Sequence, residues 1–142
     1  MLARHCSIPV AFAEDDEAIV FGRVLLSVPG KHLVLQSDRV HLSDGPRENH
    51  SRPAIDVLFR SAATAFGPRV IGIVLSGNLD DGTRGLQEIK AQGGVAIVQS
   101  PEEASWPSMP LNAIENVEVD AVLSAADISE RIRTLIDTAK TK

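Results

Sequence analysis

RVIGIVLSGNLDDGTRGLQEIKAQGGVAIVQS, residues 69–100, decides the fold. Its opening, RVIGIVLSG, is a continuous apolar run of the kind that forms a strand buried on both faces. Small and polar residues follow and end in two adjacent carboxylates, Asp80 and Asp81. Residues 82–92 then carry Leu86 and Ile89 at helical spacing, and Gly93-Gly94 closes that helix. VAIVQS reads as the next buried strand. Two fully apolar strands joined through a helix form a βαβ unit, which predicts a parallel sheet with helices packed on it.

The same alternation continues toward the C-terminus. A short helix is expected around residues 108–115, then a strand in VEVDAVL, then a last helix over about 127–139. Ile128, Ile132, Leu135 and Ile136 give that helix its apolar face, and Asp127 with Glu130 imitates a capping box at its start. The final TAKTK reads as a frayed end.

Toward the N-terminus, Ile55, Leu58, Phe59, Ala62 and Phe66 recur at helical spacing. Pro53 suits the first turn of that helix and Gly67-Pro68 its stop. Before it, from residue 8 to about 45, the pattern shortens to IPVAFA, VLLSV, HLVLQ and RVHLS, separated by turn signals that include EDDE. HLVLQSDRVHL reads as a hairpin. The expected fold class is therefore α/β, a doubly wound, mostly parallel, Rossmann-like sheet with a small antiparallel hairpin region near the N-terminus.

Composition bounds the function. The 142 residues read as one domain with an ordinary apolar share of 44%. The net charge of −5 and the lack of a basic stripe argue against nucleic acid as a partner. Cys6 is the only cysteine, so a disulfide framework is excluded and a cytoplasmic location is expected. No apolar run approaches the roughly 20 residues that span a bilayer, and the N-terminus lacks the apolar centre of a signal peptide.

Ligands of an open parallel sheet gather beyond the C-terminal ends of its strands. The loop Ser76 to Asp81 lies at such an end. Asp81 reads locally as a cap for the helix that follows it. Functional readings compete with that one. A phosphate cradle is disfavoured, because the loop has no Lys and two negative charges. A divalent cation would use Asp80, Asp81 and Asn78, but no second acidic strand end is evident, and no metal or other cofactor is expected. A phospho-acceptor reading would use FAEDDE, Asp56 and Ser76, but Asp56 falls inside a helical pattern and VAIVQSP supplies no lysine. The fourth reading makes Asp81 the carboxylate that orients a catalytic histidine in a Ser-His-Asp set.

PGKHLVL, RVHLSDGPRENHSRPAIDVLFRSAA, GIVLSGNLDDGTRGLQEIKAQGGVAIVQ and SMPLNAI occur in one unbroken order. Together they resemble the catalytic domain of the chemotaxis protein-glutamate methylesterases, the CheB type, over about residues 2–137. The resemblance implies hydrolysis of glutamate methyl esters on the cytoplasmic helices of methyl-accepting chemotaxis receptors, and often deamidation of receptor glutamines. It implies a serine nucleophile, a histidine base and an aspartate in a Gly-x-x-x-Asp-Gly loop, which places the aspartate at Asp81. A loop N–H that helps hold the oxyanion matches Gly77-Asn78, although the usual Thr-Gly-Met-Gly reads Ser76-Gly77-Asn78-Leu79 here.

The family's Gly-Ala-Ser-x-Gly-Gly turn and its Gln-His-Met-Pro-like stretch have no counterpart in these residues. Ser7, Ser27, Ser37, Ser43 and Ser51 lie in no such turn, and His5, His32, His41 and His50 stand in no context for nucleophilic catalysis. The resemblance thus implies a single partial domain over 1–142, lacking the first strands of the family fold and two of three catalytic residues. A non-catalytic binding or regulatory module is the alternative. Loss of a central strand would leave one side of RVIGIVLSG unpaired, so low stability or self-association through that edge is expected. Trp106 reads as a packing residue, with the lining of a substrate cleft as its other reading.

Overall fold

The computed structural model describes residues 8–141. His5, Cys6 and Ser7 lie outside the described residues. The strands run β1 (Val10–Phe12), β2 (Glu17–Ala18), β3 (Val24–Leu26), β4 (His32–Gln36), β5 (Arg39–Ser43), β6 (Ile71–Val74), β7 (Val95–Gln99) and β8 (Ala121–Leu123). The helices are α1 (Ile55–Phe66), α2 (Thr83–Ala91), α3 (Ser108–Asn116) and α4 (Ala125–Thr141), with a 3-10 turn at Gly67–Arg69.

The expected α/β architecture is present. β6, β7 and β8 form a parallel sheet in that order, with Ile71 beside Val95 and Ile97 beside Ala121. β4 and β5 form the expected hairpin, and β2 adds antiparallel to its far strand. A third, two-stranded ribbon pairs β1 with β3 in parallel. The apolar periodicity resolves into two cores. Leu86, Ile89, Ala96 and Val98 are wholly buried where α2 covers the parallel sheet. The smaller apolar core of the strand-rich half is Ala13, Leu33 and Val40.

Several boundaries differ from the sequence reading, each for a local reason. β6 is four residues long, because Ser76 and Gly77 turn away to pair with the segment before α3. EDDE is not all turn, since Glu17 pairs with Val40. VEVDAVL yields a strand only from Ala121, because the Asp120 carboxylate accepts the Ala96 N–H at 2.7 Å and sets the start of pairing. Pro53 precedes α1 instead of entering its first turn, and Ala54 takes the N-cap position. The last helix starts at Ala125: the Ser124 hydroxyl accepts the Asp127 N–H at 3.2 Å, so the cap is one turn upstream of the expected Asp127–Glu130 box. That helix continues to Thr141, through most of the stretch read as frayed.

Candidate functional site

The site lies where β6 ends and two helices begin side by side. α1 and α2 pack closely because Gly85 has no side chain: a Cβ there would lie 2.5 Å from Phe59 Cβ. Their N-termini therefore fall next to each other, and each leaves orphan N–H groups to satisfy.

The two helices exchange caps. Asp81, which precedes α2, does not cap it. Its Oδ2 accepts the Ile55 N–H at 2.7 Å, and its Oδ1 accepts the Asp56 N–H at 3.0 Å. Asp56, in the first turn of α1, reaches the other way: its Oδ1 accepts the Gly82 N–H at 3.1 Å and the Gly85 N–H at 2.7 Å. The local reading of Asp81 as the cap of its own helix is thus corrected. With Gly82 at φ +99°, the chain turns before α2 and sends the Asp81 side chain to the neighbouring helix.

Asn49 joins the two carboxylates. Its amide group donates to Asp56 Oδ2 at 2.7 Å and to Asp81 Oδ1 at 2.8 Å. Its loop is pinned twice. Glu48 and Ser51 exchange backbone hydrogen bonds of 3.0 and 2.9 Å. The Arg60 guanidinium on α1 also grips Glu48 with two bonds of 3.0 and 2.8 Å. That hydrogen-bonded guanidinium holds the Glu48 carboxyl below its ordinary value.

Burial separates the two aspartates. Asp56 is 2% exposed and closed off as a structural cap. Asp81 is half-buried. A carboxylate accepts about four hydrogen bonds, so three donors on Asp81 leave room for one more at Oδ2. The macrodipole of α1 also favours negative charge at this point. The arrangement fixes one carboxylate rigidly, with one acceptor position open.

The loop before Asp81 is stapled to the segment entering α3. Gly77 N–H donates to the Trp106 carbonyl at 2.8 Å, and Trp106 N–H donates to Ser76 Oγ at 2.8 Å. Leu79 N–H donates to Ser108 Oγ at 3.0 Å, and the Asn112 amide donates to the Leu79 carbonyl at 3.1 Å. Gly77 N–H is therefore engaged. Asn78 N–H makes no hydrogen bond among the described residues.

Other singled-out residues fall elsewhere. His32 is buried at 2% exposure, accepts the Ala54 N–H on Nδ1 at 3.2 Å and meets the Pro46 carbonyl through Nε2 at 2.7 Å. Those partners require the neutral ring with its proton on Nε2, a cap for α1 rather than a base. His41 lies 3.8 Å from Asp15, and His50 is exposed. Asp80 is exposed and shares no donor with Asp81, so the two carboxylates do not converge on one ligand. Among the described residues, no three His, Cys, Asp or Glu side chains cluster as metal ligands. Asn49 and the capping role of Asp56 escaped the sequence reading. An Asp in the first turn of α1 is the one local signal; the partner helix is visible only in three dimensions.

Comparison with known proteins identifies the fold and the family. The fold matches the catalytic domain of the Thermotoga maritima CheB methylesterase at a TM-score of 0.83, with 32% identity over 87% of this chain and 68% of that one. Shewanella oneidensis protein-glutamate methylesterase/protein-glutamine glutaminase 3 is 37% identical over 131 residues, 89% of this chain and 37% of that protein. A Leptospira interrogans relative whose name carries the same two activities is 42% identical over 131 residues, 92% of this chain and 68% of its own length. The profile of the CheB methylesterase family matches residues 1–132. The chain belongs to the CheB methylesterase family.

Proposed function

We propose that this chain is the greater part of a cytoplasmic protein-glutamate methylesterase domain that hydrolyses glutamate methyl esters on the cytoplasmic helices of chemotaxis receptors. The single observation behind this reading is the Asp81 carboxylate. The sequence resemblance matches it to the family's aspartate, and it is fixed by three donors from two other segments and keeps one acceptor position open, which supports the reading. In the proposed mechanism, that position takes the N–H of an imidazole from polypeptide outside these 142 residues. The imidazole removes the proton from a serine hydroxyl, also supplied from outside, as the hydroxyl attacks the ester carbonyl. Asp81 holds the tautomer and stabilises the imidazolium. Asn78 N–H is the loop donor for the oxyanion, and Gly77 supports it from its bond to Trp106. The imidazolium then protonates the leaving methoxide, and water hydrolyses the acyl-serine.

The expected outcome is sharp. The 142-residue chain alone releases no methanol from methylated receptor. A product extended upstream to include a Gly-x-Ser-x-Gly-Gly turn and the histidine does. Hydrolysis by the short chain would refute the assignment of roles.

A non-catalytic binding module is the second reading. It is favoured by the cap: Asp81 already satisfies two N–H groups of α1, a structural role that needs no chemistry. A stop codon directly upstream would support it. Either way, β6 is an edge strand of its sheet among the described residues. Its unpaired backbone makes the isolated chain prone to self-association. Sedimentation should show dimers or larger species; a monomer with a cooperative melt would count against this.

A further inference from the structure

Glu48 to Ser51 is a two-residue hairpin turn whose central residues, Asn49 and His50, both take positive φ, +54° and +64°. Hairpin turns with positive φ at both central positions favour glycine, and neither residue here is glycine. Asn visits the left-handed region more readily than most side chains, and His50 holds it against a steric penalty. The turn is kept closed by its own two backbone bonds and by the grip of Arg60 on Glu48. Strain held in place beside a candidate site directs attention to the side chain that the turn delivers.

That side chain is the Asn49 amide. A single nitrogen serves both carboxylates, Asp56 Oδ2 at 2.7 Å and Asp81 Oδ1 at 2.8 Å. An amide group carries two hydrogens, so each carboxylate receives one. Asn alone meets both demands of the position. Gly fits the turn but has no donor. Asp fits it but adds a third negative charge. Gln has the donors on a longer stem and tolerates positive φ less well. The two carboxylates repel each other, and Asp56 is closed off from the water that would screen it. Without the amide between them, Asp81 Oδ1 keeps only the Asp56 N–H, and the carboxylate is free to turn about χ2 and displace the open position on Oδ2.

We propose that Asn49 is a positioning residue of the candidate site: its amide, presented by a strained turn, holds Asp81 beside Asp56 in the orientation that keeps Oδ2 open to the incoming imidazole. This rests on the methylesterase reading. Asn49 acts only through Asp81 and touches no reacting atom.

Asn49→Gly tests this most cleanly, since glycine keeps the positive φ and removes only the amide. The assay is methanol release from methylated receptor by the upstream-extended protein, with kcat and KM measured separately and melting followed by circular dichroism. A fall in kcat of about 10- to 100-fold is expected, the scale of a misplaced reacting group, with KM unchanged. Asn49→Asp keeps the turn and adds repulsion, so its kcat should fall further. In the 142-residue chain, Asn49→Gly should raise hydrogen exchange at the Asp56 N–H, which shares Oδ1 with the amide, more than at the Ile55 N–H on Oδ2. Should Asn49→Gly lower the melting temperature, both variants are compared again in a His50→Gly background, which relieves the turn at an exposed residue outside the network. A folded Asn49→Gly enzyme with wild-type kcat would overturn the proposal and leave the role of Asp81 intact. A rise in KM at constant kcat would overturn it as well, being the mark of a substrate contact. An extended wild-type protein without hydrolysis would remove the methylesterase reading and the positioning role with it.

Discussion

The two halves of the molecule solve burial differently. In the α/β half, five side chains on α2 and β7 are wholly buried, and the sheet is covered by helices whose spacing shows in the sequence. In the strand-rich half, two small sheets share a core of Ala13, Leu33 and Val40, with partly buried leucines around it. Phe21, at the turn into β3, is fully exposed. Burial close to 25 cal/mol per Å² scales with apolar area, so the first half carries most of the stability. The candidate site stands at the boundary. Asn49 comes from the loop leaving the strand-rich half, and Asp81 from the loop leaving β6.

That contrast can be broken from the core outward. Leu86→Ala, at a position with no exposure, should lower unfolding free energy by about 3–4 kcal/mol, against about 1–2 for Val40→Ala in the thinner core. Urea titrations of both variants check the ranking; equal losses would show that the two halves share one cooperative core. Asp56→Ala comes next. It removes the acceptor of Gly82 N–H, Gly85 N–H and the Asn49 amide, and should cost about 2–3 kcal/mol. Hydrogen exchange at Gly82 and Gly85 should rise with it, and unchanged protection there would refute the crossed cap.

The smallest effect concerns pH. Glu48 has a folded value below its ordinary 4.5, chiefly from the hydrogen-bonded Arg60. Its contribution is therefore present above pH 4.5 and fades as pH falls through the lower folded value. The pair is more than a third exposed, so the amount is under about 1 kcal/mol. Glu48→Gln should lower the neutral plateau of the stability curve by that amount, leave stability below the folded value almost unchanged, and so flatten the acid limb. A loss confined to acid pH would contradict the sign.

How legible the molecule is from its sequence follows the same division. β6, α2 and β7 are readable because continuous apolar strands and a helical period have one solution each. The hairpin is readable from alternation around Ser37-Asp38. Element ends are less so: the start of β8 depends on Asp120 reaching Ala96, and the start of α4 on a serine hydroxyl, both side-chain events. The family resemblance picks out Asp81, but local spacing assigns it to the wrong helix. Nothing in a linear sequence says that Asp56 and Asp81, 25 positions apart, exchange partners through Asn49.

The central claim is that Asp81 serves chemistry as well as the cap of α1. The most direct test is methanol release from methylated receptor by the upstream-extended protein, wild type against Asp81→Asn. A loss of about 10⁴-fold in kcat with an unchanged circular dichroism spectrum is expected, the scale seen when the acid of a Ser-His-Asp set becomes an amide. A folded Asp81→Asn protein that retains wild-type turnover would leave Asp81 as a helix cap and nothing more.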